Sequence, residues 1–283
     1  MLKGKQLWFL SRFGRLIPDA PYLKWKFRLL TGRRLDLRNP LTFNEKLQVI
    51  KLKDRNPLYH RLADKQEVKD YVRGILGDNA VIPTLGIWEC GRDIDFDSLP
   101  ERFVLKCTHD SGSTVICRDK SGFDREEAVK RLDGALAEDY YLKDREWAYK
   151  GIRRRIIAEP LIDDDPADYK FFCFDGKPRI MFLATDRGRA DTETKFDFFD
   201  MDFNHLPIRN GHPNAATLPA EPEMWEELKE TAARLAEGLP HVRVDLYEVD
   251  GRIYFGEYTF YHWAGFMPFD PPEWDKKIGE WIK

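Results

Sequence analysis

Cysteine is scarce in this chain and follows no ligand pattern. The four residues, at 90, 107, 117 and 173, form no C-x-x-C pair, so neither a zinc site nor a disulfide framework is indicated and all four read as core or strand residues. No apolar run approaches the ~20 residues of a membrane span. The start has no signal-peptide apolar centre or small-residue cleavage site, so the expected location is the cytoplasm. Internal repeats and low-complexity tracts are absent, and so is the Gly-Lys-Ser/Thr of a Walker A loop. Net charge is small too, -3, and no nucleic-acid partner is expected.

What is present describes an ordinary globular protein: 283 residues, 42% hydrophobic and 34% charged, enough for one large domain or two to three small ones. The small net charge hides an asymmetry. Residues 1–40 hold ten Lys or Arg against Asp19 and Asp36, a balance of +8 that leaves -11 for the rest. Residues 2–30 mix Trp8, Phe9, Leu10, Phe13, Leu16 and Ile17 with Lys3, Lys5, Arg12 and Arg15, a basic amphipathic pattern. It suits either the surface of an anionic membrane or a terminal helix that packs its apolar stripe on its own domain.

Along the chain, Thr42 and Glu45 stand at capping-box spacing before a helix. Asp64 caps a second one, with Lys65 at its N-terminus, where a cation gains nothing from the dipole and invites an anion. Strands are expected at 82–88, 103–107, 114–117, 156–162, 169–174, 179–183 and 196–203, with helices at 124–141 and 221–237. Between two of the strands lies Thr108-His109-Asp110-Ser111-Gly112-Ser113. Its small residues let backbone N–H groups approach an anion, and Lys106 stands at its rim. Asp163-Asp164-Asp165 reads as a solvated turn.

The most informative stretch is Val242–Thr259. Two alternating strands flank an Asp250-Gly251 turn, and Asp245 and Glu257 interrupt apolar rows where a lone carboxylate would be costly. A plain two-residue turn pairs Val249 with Arg252 and puts Asp245 and Glu257 on opposite faces. An odd-length loop or a bulge, with Gly251 at positive φ as the candidate, returns them to one face with Arg243 and Thr259. We predict the odd register. For His109 and His262 a structural hydrogen bond is the expectation.

The helix-opening Lys65, Lys106 before the small-residue loop, the strand residue Glu159, Asp168-Tyr169-Lys170 and an Arg-x-Asp strand returning as Glu-x-Thr resemble the ATP-grasp enzymes. The resemblance is closest to the TupA-like group, associated with bacterial teichuronopeptide and surface-polysaccharide biosynthesis. It runs from Asn39-Pro40 to Phe260. It implies an α+β fold with nucleotide between two antiparallel sheets, and ATP and Mg2+ as cofactors. Nucleotide contacts would come from Lys65, Lys106, Thr108, Ser111, Gly112, Ser113, Glu159 and Lys170, with Asp245, Glu257 and Thr259 at magnesium. Arg243 and Lys106 would be the catalytic cations. Thr259 departs from the family pattern, which has Asn there.

The implied organisation is a basic helical region over 1–60, a short α/β segment over 61–102, a lid with the phosphate loop over 103–162 and a C-terminal subdomain over 163–283. The implied reaction is ATP-dependent carboxylate-amine ligation through an acyl phosphate, with an acidic cell-surface glycan or its precursor and a small amine or amino acid as partners. Arg153, Arg154, Arg155, Arg187 and Arg189 are candidate glycan contacts. Peripheral contact with an anionic membrane through residues 1–30 belongs to the same expectation. The competing readings are a metal-dependent nucleotide-sugar glycosyltransferase, from Asp200-Met201-Asp202, and a non-catalytic nucleotide or glycan binder.

Overall fold

A computed structural model describes residues 2–187 and 193–283. Two antiparallel sheets form its frame. The smaller contains β1 (Gly86–Trp88), β2 (Phe103–Cys107), β3 (Val115–Cys117) and β4 (Ile156–Pro160) in the order β1-β4-β2-β3. The larger contains β5 (Ala167–Phe174), β6 (Lys177–Thr185), β7 (Lys195–Asp200), β8 (His205–Leu206), β9 (His241–Val249) and β10 (Arg252–Thr259), ordered β10-β9-β5-β6-β7-β8. The helices are α1 (Leu2–Phe13), α2 (Asp19–Thr31), α3 (Phe43–Lys53), α4 (Leu58–Ala63), α5 (Glu67–Leu76), α6 (Arg125–Ala137), α7 (Tyr140–Asp144), α8 (Trp225–Ala236) and α9 (Glu273–Gly279).

The period-two alternation decides what each sheet face does. In the small sheet, Phe103, Leu105, Cys107, Ile156 and Ala158 pack with Leu132 of α6. Val104 pairs with Glu159 and Lys106 with Ile157 on the opposite face. The rear of the large sheet carries Phe171, Met181, Val242, Val244 and Leu246 against Trp225, Leu228 and Leu235 of α8 and Val68 and Val72 of α5. Its front is divided. Phe172, Phe182 and Phe198 lie under Phe43 and Leu47 of α3 and Ile278 of α9, while Asp168, Lys170, Arg243, Asp245 and Glu257 occupy the other half, paired strand to strand.

The capping box forms as expected: Thr42 Oγ1 accepts from Glu45 N, and Glu45 Oε2 accepts from Thr42 N. Asp64 Oδ1 accepts from the backbone N–H of Gln66 and Glu67, which places Lys65 in the turn just before α5. Several expected elements are shorter, two of them for visible reasons. Of 82–88 only Gly86–Trp88 pairs, since Pro83 has no N–H to donate and Ile82 O is taken by Lys69 Nζ. The expected 124–141 helix breaks at Glu138, whose backbone is extended, and Tyr140 restarts it as α7.

The β9–β10 hairpin has the odd register. Its turn is the plain two-residue kind, Val249 opposite Arg252, with Asp250 and Gly251 at φ 51° and 67°. The shift comes from a bulge at Gly256, between Phe255 opposite Leu246 and Glu257 opposite Asp245. The extra residue is therefore Gly256 rather than Gly251. A Cβ there would lie 3.0 Å from Asp245 O and from the Tyr247 ring, tighter than nine in ten real Cβ contacts. Glycine is what lets the bulge fold flat onto the neighbouring strand.

Candidate active site

A cleft of about 240 Å³ separates the polar half of the large sheet from the inner face of the small one. Five cations line it (Lys65, Lys69, Lys106, Lys170 and Arg187) against two carboxylates, Glu159 and Glu257. Beyond Lys106 and Glu159 it continues into a space of about 340 Å³ with Val104, Ile116, Pro160, Leu161 and Ile162 on one side and Arg118, Arg187 and the carboxylates of Asp163, Asp164 and Asp165 on the other. A cation-lined chamber and one with an apolar wall thus meet around Ile82, Lys106, Glu159 and Tyr247, an arrangement that suits a phosphorylated ligand with a flat apolar base.

Glu159 is 5% exposed and accepts two ion pairs, from Lys69 at 2.6 Å and Lys106 at 2.5 Å. Burial pushes its pKa up, but the two ammonium groups outweigh it and hold the carboxyl below its ordinary value. Burial likewise lowers the Lys69 pKa against the opposing pull of Glu159. Lys69 is a site residue that the sequence reading missed. It lies in the first turn of α5, four residues after Lys65, and that spacing is the signal that would have found it.

On the large sheet, Asp245 is fully buried. Arg243 holds it with both edges, Nε donating to Oδ1 and one terminal nitrogen to Oδ2, each at 2.7 Å, and Lys170 Nζ donates to Oδ2 as well. Burial opposes ionisation, yet Arg243 and Lys170 keep Asp245 far below the usual carboxylate range. Lys170 also contacts Asp168 Oδ2 at 2.8 Å, and Arg187 pairs with that same oxygen. Arg243 further donates to Thr259 Oγ1 at 2.9 Å and reaches Glu257 Oε1 at 3.3 Å.

His262 completes the clamp on Arg243. Its Nδ1 lies 2.8 Å from the guanidinium, and because arginine only donates, this nitrogen accepts. Nε2 then carries the proton and donates to Asn210 Oδ1, also at 2.8 Å. Burial, with Arg243 adding to it, keeps the ring neutral, as the geometry requires. His262 thus makes the structural hydrogen bonds expected of it. His109 is buried as well, with the Glu138 backbone beside its ring as a hydrogen-bonding neighbour.

The expected phosphate loop divides by role. Ser111 and Gly112 line the cleft. Thr108 is fully buried and donates from its hydroxyl to Arg153 O, while the Ser113 hydroxyl accepts from Cys107 N and donates to Asp110 Oδ1. These two hold the loop's shape rather than face the cleft. Lys65 is tied to the same loop, its Nζ donating to Asp110 O. The arginine cluster does not present a free anion surface: Arg153 pairs with Glu89, Arg154 donates to Leu136 O, Arg155 pairs with Asp64 and Arg187 with Asp168. Arg189 lies outside the described residues. Asp200 is taken up by its own turn, accepting from Asp202 N and Asn204 N, so Asp200-Met201-Asp202 is a capped turn at the far end of the sheet.

The oxygen donors present fit magnesium. Mg2+ takes one or two carboxylates and completes its shell with water and phosphate oxygens. Asp245 and Glu257 face each other across paired strands with the Thr259 hydroxyl 3.3 Å from Glu257 Oε1. Among the described residues no group of three or more His, Cys, Asp or Glu is arranged to hold a metal, so any ion here depends on oxygens that a ligand brings.

Two antiparallel sheets that close on a lysine-lined cleft, with an Arg-x-Asp strand returning through a bulge, define an ATP-grasp protein. The model of the TupA-like ATP-grasp family matches residues 45–283, and the chain belongs to that family. ATP-grasp enzymes use ATP with Mg2+. Among solved structures the chain is similar to the L-amino acid ligase from Bacillus licheniformis, at 17% identity over 78% of this chain and 49% of that one, TM-score 0.47. It is also similar to the D-alanine–D-alanine ligase from Bacillus anthracis complexed with ATP, at 16% identity over 71% of this chain and 55% of that one, TM-score 0.42. The chain therefore spans about half the length of these structures. No curated protein sequence matches it.

Proposed function

We propose that the chain is an ATP-dependent carboxylate-amine ligase acting through an acyl phosphate. One observation carries this reading: the Gly256 bulge gathers Arg243, Asp245, Glu257 and Thr259 on the face that meets Lys106 and Glu159 across the cleft. Lys65, Lys106 and the Ser111-Gly112 backbone would hold the phosphates. Lys170 and Arg243 would neutralise charge on the transferring phosphoryl group, the main task of a phosphoryl-transfer site. Mg2+, held by Asp245 and Glu257, would supply charge neutralisation between the phosphates.

A substrate carboxylate oxygen attacks the γ-phosphorus and ADP leaves. The amine then bonds to the acyl carbon, the carbon–oxygen bond breaks, and phosphate departs with the electron pair. For the acid we propose a uronate or other carboxylate of a bacterial cell-surface polysaccharide. The family supports this, and an aromatic-walled cavity of about 610 Å³ that opens beside Lys170, Arg243 and Glu257 has room for the reacting carboxylate and a second substrate together. The test supplies Mg·ATP, a uronate-containing oligosaccharide and a panel of amines, and measures ADP and the amide product. Asp245→Asn and Lys106→Ala should each abolish both products. Unchanged turnover in both variants rejects this site, and tight UDP-sugar binding without any response to ATP favours a glycosyltransferase.

The basic N-terminal region supports a second proposal, peripheral docking on an anionic membrane. Leu10 packs inward with Tyr22, Leu23 and Phe27, but Trp8, Phe9, Phe13 and Leu16 are 41–76% exposed among Lys5, Arg12 and Arg15. Aromatic and basic side chains interleaved on one surface suit the headgroup layer. Among the described residues no helix is long and apolar enough to cross a membrane. Flotation with phosphatidylserine vesicles should retain the full chain and lose a variant lacking residues 1–17. Equal flotation of the two overturns the docking.

A further inference from the structure

The cavity beside Arg243 has one side chain that the phosphate chemistry does not use. Glu146 lines it together with Lys170, Arg243 and Glu257, and is 5% exposed. It directly follows Arg145, a left-handed residue at φ 58° whose guanidinium donates to Gly14 O and Leu142 O and lies 4.2 Å over the Tyr22 ring. Its backbone position is therefore fixed by the N-terminal region, which closes this side of the cavity.

Among the described residues no hydrogen bond or ion pair reaches the Glu146 carboxylate, although cations are near, because each has other partners. Lys51 Nζ donates to Gln48 Oε1, Asp144 O and Ala264 O. Lys26 pairs with Asp144 at 2.5 Å and donates to Lys143 O. Lys143 Nζ lies 5.4 Å from the Tyr140 ring centre. A buried carboxyl left unpaired keeps its proton rather than its charge, and a ligand that brings the missing cation lets it ionise. The rings of Tyr140 and Tyr149, 4.8 Å apart at an edge-to-face angle, and of Tyr261 add electron-rich faces to the same cavity. An ammonium group satisfies both features.

We propose that this cavity receives the amine substrate and that Glu146 binds its ammonium group and takes the proton as the nitrogen attacks. The inference rests on the ligase reading for its chemistry. As the ammonium binds, Glu146 releases its own proton to solvent. The ammonium then gives one proton to the ionised carboxylate, the freed nitrogen lone pair forms the bond to the acyl carbon, and phosphate leaves with the electrons of the broken carbon–oxygen bond and takes the second nitrogen proton. Burial raises the Glu146 pKa to about 8, nearer to that of an amine than an exposed carboxyl, so the proton moves less steeply uphill.

Two readouts test this. In the first, the parent and Glu146→Gln are given Mg·ATP and a uronate oligosaccharide, with either a primary alkylamine or hydroxylamine as nucleophile. Hydroxylamine is largely uncharged at neutral pH and needs no base to free its lone pair. The ratio of amide to hydroxamate should fall about 100-fold or more in the variant and partly recover in Glu146→Asp; an unchanged ratio overturns the proposal. In the second, without nucleotide, ligand-observed NMR compares n-butylammonium with n-butanol. The parent should prefer the ammonium about tenfold and Glu146→Gln should lose that preference. Absence of a preference in the parent, or its survival in the variant, overturns the site. A parent that forms neither ADP nor hydroxamate removes the ligase reading, and the NMR preference still decides whether Glu146 is an ammonium site.

Discussion

On the cleft side of Glu257 the buried carboxylates Glu159, Asp168 and Asp245 each touch at least two cations, whereas a short distance away, on the cavity side, Glu146 touches none among the described residues. The first region is electrostatically complete except for a surplus of positive charge, which an anionic ligand would use. The second holds a buried acid that no cation among the described residues touches, which a cationic ligand would ionise. One continuous surface thus offers surplus cations to one ligand and an unpaired acid to another, and Lys170 and Glu257 stand where the two regions meet.

The harshest way to break this contrast is Asp245→Asn. Removing the charge that Arg243 and Lys170 share leaves two buried cations short of a partner, at a cost of about 3–5 kcal/mol, and ADP release should fall at least ~100-fold. The depressed Asp245 pKa means that its stabilisation is present at neutral pH and lost as pH falls through the acid range. Chemical denaturation of parent and variant from neutral to acid pH should therefore converge.

Gly256→Val tests the register beneath both regions. The added side chain meets Asp245 O and the Tyr247 ring, so about 1–3 kcal/mol of stability should be lost, with ADP release falling as Glu257 turns from Asp245. A variant that keeps full stability and activity contradicts the role given to the bulge.

Glu146→Gln probes the unpaired side. With a folded pKa of about 8 against an ordinary 4.5, Glu146 keeps its proton in the folded chain where the unfolded chain has lost it. Its contribution is present below pH 4.5 and lost as pH rises through 8. The melting temperature of the parent should therefore decline more steeply from pH 5 to 8 than that of the glutamine variant. Parallel curves would mean that Glu146 is paired after all. The smallest effect belongs to Asp200→Ala, expected to cost under about 1 kcal/mol and leave ADP release intact. A large loss of activity there would move the metal chemistry away from Asp245.

Much of the cleft was legible because strand alternation and helical spacing are local. Thr42 with Glu45 announced its capping box, and Asp245 and Glu257 declared themselves as charges in apolar rows. The location of the odd residue was not legible, since Gly251 and Gly256 both permit a bulge and only the close approach of Asp245 O selects Gly256. The inward turn of Thr108 and Ser113 escaped because loop side chains have no period to read. Lys69 escaped because its reason to be there, Glu159, lies ninety residues further on. Glu146 was invisible for the same cause: being unpaired is a property of the neighbours, which the fold brings from α2, α3 and the 259–268 segment.

The central claim concerns the cation position between Asp245 and Glu257, and a crystal structure with Mg2+ and a non-hydrolysable ATP analogue tests it most directly. The triphosphate should lie between the sheets against Lys106 and Ser111-Gly112, with magnesium between Asp245 and Glu257 and Lys170 moved from Asp245 onto a phosphate oxygen. Nucleotide bound outside this cleft, or magnesium bound with Asp245 still closed on Arg243 and Lys170, would contradict that claim.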